Sequence, residues 1–505
     1  LAGTTFSGTE GGGRGGAGTP FTFDTLQLVG QIGETAGVFR TLTARSVREV
    51  RPGVYVYDLG QNIVGVPKIT LASGRAGGKL TLRYAEMLYP DLPASGANVG
   101  MIMTENYRAA LSQDLYTMKA GPQTFQPRFT SHGFQYVEIT GIDGPLPPAA
   151  VQGVAISSVR ALSADYRTSS EKVNRLWSNL VWSNVGNFLT IPTDCPQRNE
   201  RMGWSGDINV FSRTATYVSN ADQFLTRHMH AMRDVQQPSG RFTDIAPVGG
   251  GFGGVLWGSA GIVVPWETYL QYGDVGLLER HYPAMAAYAD YIETTIDPKT
   301  GVSSDGALGD WLGPQNARLG SAFLVTAYHA YDLGIMARVA GTLNRPADAA
   351  RFQERYEQRK AFFNATFVKA DTQTAYAVGL GMGLFSAEPK TKDDLFRIYT
   401  WMVKEYPFVI LEDPLDEDDY EGTALLTKEL DIQVVGDDLF TTNPERVAKG
   451  IAAGAANTVL LKVNQIGTIS EALDMIQLAY RNGYGVMPCS SRGEGEDIAD
   501  YCVGI

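Results

Sequence analysis

The chain has 505 residues, 44% of them hydrophobic, a net charge of -12 and a pI near 5.0. That length is too great for one core and calls for two to four domains. The acidic balance, without any Lys/Arg cluster, argues against nucleic acid or an anionic membrane surface as partner and suits a neutral or small anionic ligand. No apolar run reaches the roughly 18 residues of a membrane span, and the N-terminus lacks a charged-then-apolar signal pattern. Because the chain begins at Leu1 rather than Met, it reads as a fragment or processed product, and the compartment stays open. Three cysteines, Cys195, Cys489 and Cys502, are too few and scattered for a disulfide framework or a zinc site, and their odd number leaves at least one thiol free.

Residues 1–45 are expected to form a Gly-rich linker and an incomplete N-terminal segment, with Gly11-Gly-Gly-Arg-Gly-Gly-Ala-Gly18 as flexible as linkers become. From 46 to 158 the pattern is strand-like. Val54 to Leu59, Val66 to Leu71, Leu80 to Ala85 and Tyr136 to Thr140 are β-branched and aromatic runs between Gly/Pro turns, which predicts an all-β domain, most simply a sandwich. From 159 to 390 the period becomes helical, as at Val173, Leu176, Trp177, Leu180 and Val181, and at Ala327, Tyr331, Ile335 and Val339. Loops such as Pro247 to Gly254 separate these helices, and repeated helix pairs with loops at one end suggest an α/α toroid. From 391 to 505 short apolar strands (Phe408 to Leu411, Ile432 to Val435, Thr458 to Leu461, Gly485 to Met487) alternate with helices, three successive β-α steps of a parallel sheet or barrel. Glu412, Asp437 and Lys462 stand at strand ends, where such a barrel places its chemistry.

The segment Asp194-Cys-Pro-Gln-Arg-Asn-Glu200-Arg-Met-Gly-Trp204-Ser-Gly-Asp207 packs three acids, two arginines and a tryptophan into fourteen residues. Glycosidic bonds are cut by a protonated carboxyl on the leaving oxygen working with a second carboxylate, while aromatic faces and charged hydrogen-bonding groups hold the ring. The segment supplies every such part except the second carboxylate. Read in isolation, the same residues also fit a turn, a surface ion pair and a core tryptophan.

That segment resembles the catalytic segment of the α-L-rhamnosidases of glycoside hydrolase family 78. Tyr57 to Gly65, Leu82-Arg-Tyr-Ala-Glu-Met-Leu, Pro127 to Glu138, Val263-Val-Pro-Trp266, Gly309-Asp-Trp-Leu312 and Thr372-Gln-Thr-Ala-Tyr376 are similar to other hallmarks of the family in the same order, over about residues 45–385. The resemblance implies a β-sandwich, an (α/α)6 catalytic barrel and inverting hydrolysis of terminal α-L-rhamnosides without a cofactor. It makes Glu200 the general acid, has Asp194, Arg198 and Asp207 hydrogen-bond the sugar, and packs Trp204 and Trp311 on its apolar face. Trp257 and Asp310 would form pocket wall, with core packing the other reading of Trp257. Asn199 stands where the family commonly has Asp, which removes one negative neighbour of the acid. His132 is read as a hydrogen-bonded structural residue.

The last hundred or so residues depart from that pattern. Tyr406 to Asp419, Val435 to Pro444, Leu461 to Gly467 and Gly485 to Asp500 resemble the middle of an enolase barrel, over about residues 392–505. This second resemblance implies Glu412 and Asp437 as two of three Mg²⁺ ligands, Lys462 as the base, and a substrate loop containing Ser490 and Arg492, with Ser490 where many enolases have His. The third metal ligand and the remaining catalytic groups of that family lie in segments beyond those represented here, and three βα units cannot close an eight-stranded barrel.

In family 78 the general base follows the point, near residue 390, where the sequence crosses into the enolase pattern. Loss of that base predicts turnover lowered by about 10²-fold to 10⁴-fold or more. Glu267 and Asp234 lie in the retained part, but nothing marks either as a substitute. The abrupt switch fits a natural fusion or, better, an artificial join. The leading expectation is a rhamnosidase-type domain carrying the acid half of its site and taking a rhamnose-containing glycoside. The alternatives are an enolase-type Mg²⁺-dependent lyase and a non-catalytic carbohydrate binder.

Overall fold

A computed structural model of the chain describes residues 30–306, 308–310, 319–367, 372–385 and 392–489. It divides into two compact units, Leu1–Phe385 and Ser386–Ile505. The first unit begins with β1 (Gly37–Thr43), β2 (Ser46–Arg51), β3 (Val54–Leu71) and β4 (Lys79–Ala85). A short ribbon of β5 (Met87–Leu88) and β6 (Ile102–Met103) follows, then β7 (Gln113–Thr117), β8 (Gln123–Phe125), β9 (His132–Thr140) and β10 (Val151–Ser157).

Eight of these strands form one antiparallel sheet in the order β1-β10-β3-β9-β4-β7, with β2 and β8 also paired to β3. In β4 the period of two is plain: Leu80, Leu82 and Tyr84 are fully buried, while Thr81 and Arg83 between them are half-buried. Two runs expected as separate strands, 54–59 and 66–71, are one 18-residue strand, β3. The Gly/Pro punctuation between them marks a bulge rather than a turn: register against β9 shifts between Asp58 and Ile63, and Gly60 at φ +72° donates its N–H to Asp58 Oδ1 at 2.6 Å. The bulge lets β3 exchange partners along its length, from β2 to β10 on one side and from β9 to β8 on the other. The β region also starts before residue 46, because Gly37–Thr43 pairs with β10 inside the stretch expected to be linker.

After β10 come α1 (Glu171–Asn187), the hairpin β11 (Phe188–Leu189) and β12 (Ile191–Pro192), α2 (Ser205–Val218), α3 (Asp222–Asp234), α4 (Val255–Gly258), α5 (Ala260–Tyr272), α6 (Val275–Thr294), α7 (Ser321–Thr342), α8 (Pro346–Thr366) and α9 (Gln373–Gly381). Ser170 caps α1, its side chain accepting from Val173 N, and Asp274 caps α6 by accepting from Leu277 N at 3.0 Å. The helices bury a large core that includes Leu225, Met229, Phe242, Met285, Tyr288, Leu333 and Phe352, and α7, α8 and α9 share a second cluster around Phe323, Phe363 and Ala375. Helix α1 lies at its margin: of the apolar positions that marked it, Val181 is buried while Val173 and Leu176 remain exposed.

The second unit holds α10 (Lys392–Glu405), β13 (Ile410–Glu412), α11 (Tyr420–Glu429), β14 (Gln433–Gly436), α12 (Pro444–Ala453), β15 (Thr458–Leu461), α13 (Val463–Ile466), α14 (Ile469–Arg481) and β16 (Gly485–Pro488). Among the described residues its strands make one parallel sheet in chain order, β13-β14-β15-β16, four strands of an open β/α arrangement. Helices α12 and α14 pack on it through Val447, Ala472, Met475 and Ile476. Burial of β15 on both faces accounts for the continuous apolar run Thr458 to Leu461, as expected of a parallel strand covered by helices.

Candidate active site

Between β12 and α2 the chain makes a closed loop. Asp194 and Met202 form an antiparallel bridge, each N–H donating to the other's carbonyl at 2.9 Å, and Trp204 bridges to Ile245. The far strand of that second bridge holds the loop tightly: Ala246 N donates to Gly203 O at 3.0 Å and Ser205 N to Asp244 O at 2.8 Å. A Cβ on Gly203 would come 2.1 Å from Ala246 O, so the close approach requires glycine. The β region braces the loop from the other side, because Gly133 of β9 lies so near Gln197 that a Cβ there would be 2.6 Å from its Cβ.

This frame opens onto a cleft of about 540 Å³ lined by Asp194, Cys195, Arg198, Glu200, Trp204 and Asp207, together with Arg108, Asn209, Phe252, Trp257 and Tyr328. Six sequence-predicted residues of the first unit besides Trp257 and Asp310 were Glu200, Asp194, Arg198, Trp204, Asp207 and Trp311; the first five meet here, and Trp257 joins them as cleft wall. Trp311 lies outside the described residues. Asp310 is not among the lining residues; its carboxylate accepts from Leu319 N at 3.2 Å. Glu267 pairs with Arg213 at 3.8 Å and Asp234 with His230 at 3.4 Å, both away from the lining. His132 is buried, 3.1 Å from Asp114 and stacked on Tyr84, a structural arrangement.

The charges of the cleft have distinct surroundings. Glu200 is 21% exposed and pairs with Arg108 at 2.6 Å. Arg198 is held by the protein, Nε donating to Asn106 O at 3.0 Å and Nη1 to Cys195 Sγ at 3.6 Å. Cys195 donates its thiol hydrogen to Asp194 Oδ1 at 2.6 Å, and burial together with that carboxylate pushes the thiol up to about 12, so it stays protonated. Asp207, in the first turn of α2, is pushed up to about 6 by desolvation, by the Asp194 charge and, more weakly, by Glu200. Its outer edge remains open to solvent even though protein atoms crowd the carboxyl.

Two buried polar atoms on the lining have no hydrogen-bond partner among the described residues, Trp204 Nε1 and Asn209 Oδ1. Both atoms are shielded from solvent, so each marks a buried polar group left without compensation beside the cleft. Trp204 is only 7% exposed and meets Phe252 edge to face at 5.2 Å, so it offers the cleft no broad face. Trp257 presents the more open aromatic surface. Behind it Arg241 joins Asp244 at 3.3 Å and Asp305 at 2.9 Å, and Asp244 accepts from Gly253 N at 2.9 Å.

Arg108, Asn209, Phe252 and Tyr328 come from four separate segments and were missed by sequence reasoning. The Gly-rich loop 247–254 was the one legible signal, pointing to Phe252. Arg108 follows Glu105-Asn-Tyr in a loop with no motif, and only the fold carries it to Glu200.

In the second unit Glu412, Asp437 and Lys462 do converge at the C-terminal ends of β13, β14 and β15, joined by Asp413. Lys462 and Asp437, both buried, form an ion pair, and Gln465 Nε2 donates to the other Asp437 oxygen at 3.2 Å. Asp413 accepts from Asp437 N at 3.0 Å and Asp438 N at 2.9 Å. Hard carboxylate oxygens suit Mg²⁺, and one oxygen each of Glu412, Asp413 and Asp437 lie within 4.8 Å of one another, although the Lys462 ammonium already pairs with Asp437. Ser490 and Arg492 lie outside the described residues.

Comparison with known proteins finds two families along the chain, their matches overlapping at residues 370–405. Residues 48–157 match the bacterial α-L-rhamnosidase concanavalin-like domain, 163–405 the bacterial α-L-rhamnosidase 6 hairpin glycosidase domain, and 370–505 the enolase C-terminal TIM barrel domain. The chain is 40% identical to an α-L-rhamnosidase of Streptomyces avermitilis over 71% of its own length and 34% of the relative's. It is 57% identical to the enolase of Methanocaldococcus jannaschii over 24% of its length and 30% of that enolase. It therefore spans about a third of the length of the curated relatives it matches. Its fold superposes on the S. avermitilis α-L-rhamnosidase complexed with L-rhamnose with a TM-score of 0.66 at 37% identity, covering 75% of this chain and 36% of that one. The α-L-rhamnosidase of Dictyoglomus gives 0.67 at 28% identity, with 75% and 44% covered.

Proposed function

From a chain that carries the concanavalin-like and hairpin glycosidase domains of the bacterial α-L-rhamnosidases, joined to a segment of the enolase barrel, we propose that the Asp194 to Asp207 cleft binds the terminal L-rhamnose of a glycoside, with Glu200 as the general acid. The single observation that carries this reading is the convergence of Asp194, Arg198, Glu200, Trp204, Asp207 and Trp257 on one cleft. In this reading Glu200 gives its proton to the leaving oxygen as the glycosidic carbon–oxygen bond breaks, and the ring carbon left behind takes on oxocarbenium character. Asp194 and Asp207 bear negative charge beside that developing positive charge and accept from the sugar hydroxyls. Trp257 lies along the apolar edge of the ring.

Inversion needs a second carboxylate about 6.5–9.5 Å from the acid to activate water on the opposite face. Among the described residues the carboxylates on the lining are Asp194, Glu200 and Asp207, all from the same loop and helix start. This favours a chain that binds the sugar firmly and turns it over slowly, which keeps the non-catalytic carbohydrate binder as the second reading. We infer no lyase chemistry for the second unit, which among the described residues holds four strands of a parallel sheet rather than a closed barrel.

The test is titration of the full chain with L-rhamnose, followed by tryptophan fluorescence, alongside release of 4-nitrophenol from 4-nitrophenyl α-L-rhamnoside. Saturable quenching is expected, with turnover that is weak and lowered further in Glu200→Gln. Absence of rhamnose binding rejects the reading; binding with turnover indifferent to Glu200→Gln rejects the acid.

A further inference from the structure

We propose that Arg108 makes the cleft selective for glycosides whose leaving group carries a carboxylate. The inference rests on the sugar-cleft reading above and adds the class of leaving group. Arg108 belongs to the β region, 92 residues before the side chain it meets, and stands on a firmly anchored loop. Tyr107 is fully buried and donates its hydroxyl hydrogen to Gly133 O at 2.8 Å, while Asn106 gives its carbonyl to Arg198 and its amide to Glu86 at 3.4 Å. The backbone that carries Arg108 is thus fixed at the mouth of the site, yet the Arg108 side chain is itself 57% exposed. A fixed stem with a solvated guanidinium can exchange partners at small cost.

Of the two guanidinium groups on the lining, Arg198 is spent on Asn106 and Cys195, and Arg108 on Glu200. The acid of a glycosidase must reach the leaving oxygen, so the group bound to Glu200 stands at the leaving-group end of the cleft. There the pair gives Glu200 a cation where the reaction requires a proton. A neutral leaving group must break that pair and offers the guanidinium nothing in return. A leaving group with a carboxylate offers a planar, bidentate partner of the same kind as Glu200 and frees the acid from its cation. The exchange anchors the leaving group and releases the acid together. Uronic acids are the natural sugars of this class.

A matched pair of ligands isolates the effect: phenyl α-L-rhamnoside and 4-carboxyphenyl α-L-rhamnoside, titrated into the full chain at pH 7 with tryptophan fluorescence as the readout, and L-rhamnose as the control. The carboxylate ligand is expected to bind about threefold to tenfold tighter than the neutral one, a ratio that shrinks with added salt, as a partly exposed ion pair requires. In Arg108→Gln the ratio falls to about one or below, and Arg108→Lys keeps part of it, since the charge remains and the bidentate geometry is lost. No preference in the native chain, or the same preference in Arg108→Gln, overturns the proposal. Failure to bind even L-rhamnose instead overturns the sugar-cleft reading on which it rests.

Discussion

Trp257 lies flat against Gly206: a Cβ on Gly206 would come 2.5 Å from the indole Nε1 and Cε2. Gly253 crowds the same ring, where a Cβ would come 2.3 Å from Cδ2. Two glycines from different segments thus seat one tryptophan on the cleft wall. Gly206→Ala is expected to push the indole toward the cleft, destabilise the first unit by about 1–3 kcal/mol through overpacking and weaken L-rhamnose binding. Urea unfolding and the fluorescence titration measure the two effects. A variant as stable as the native chain, with unchanged affinity, would show that Trp257 is free to move and is no wall.

Arg241 reaches the same wall from behind. It pairs with the fully buried Asp244, which in turn fixes Gly253 N. Desolvation holds the Asp244 carboxyl above the usual range even with Arg241 beside it. Arg241→Met leaves that carboxylate buried without its cation, and the expected loss is about 3–5 kcal/mol. Arg241→Met with Asp244→Asn should recover much of it, and chemical denaturation of both variants checks the order.

Asp207 gives the first unit a pH dependence of definite sign. Its folded-state value is raised, to about 6 against 3.8, so the folded state favours the protonated form. Stability from this group is fully present below about pH 4 and is lost as pH climbs through 6. Solvent at its edge moderates the size of the effect. Melting temperatures measured from pH 4 to 7 should therefore fall more steeply for the native chain than for Asp207→Asn. Parallel curves for the two proteins would count against desolvation as the cause.

In the second unit the buried pair of Asp437 and Lys462 invites a similar experiment. Lys462→Met removes the cation and, among the described residues, leaves the Asp437 carboxylate with the Gln465 amide, an expected cost of about 3–5 kcal/mol. Lys462→Met combined with Asp437→Leu should be much less harmful, because two apolar groups replace both charges. A single substitution without effect on urea unfolding would mean that water already reaches the pair.

Much of the fold was legible from local patterns. A period of two marked β4, the switch to helical spacing marked α7, and short apolar runs between helices marked β14 and β15, because burial on one face or both writes itself directly into sequence. The bulge at Asp58 to Ile63 was not legible, since glycines there read equally well as a turn; the choice between turn and bulge is made by β9 and β10, which come some 70 and more residues later. Strand β1 was hidden for a related reason. Alternating Gly37 to Thr43 is half-exposed, and its pairing to β10 is a long-range event.

The site divides in the same way. The sequence by itself determined the chemistry held within one segment: Asp194, Arg198, Glu200, Trp204 and Asp207 lie within fourteen residues, so any fold that closes that loop brings them together. It also determined the change near residue 390 from one pattern to another. Only the tertiary structure decided what surrounds the acid, because Arg108, Trp257 and Tyr328 reach the cleft from three other parts of the chain. Their meeting depends on how the β9 strand leans on the loop at Gly133 and how Gly206 and Gly253 admit the indole. Those are close packings between distant parts of the chain, and local composition carries no record of them.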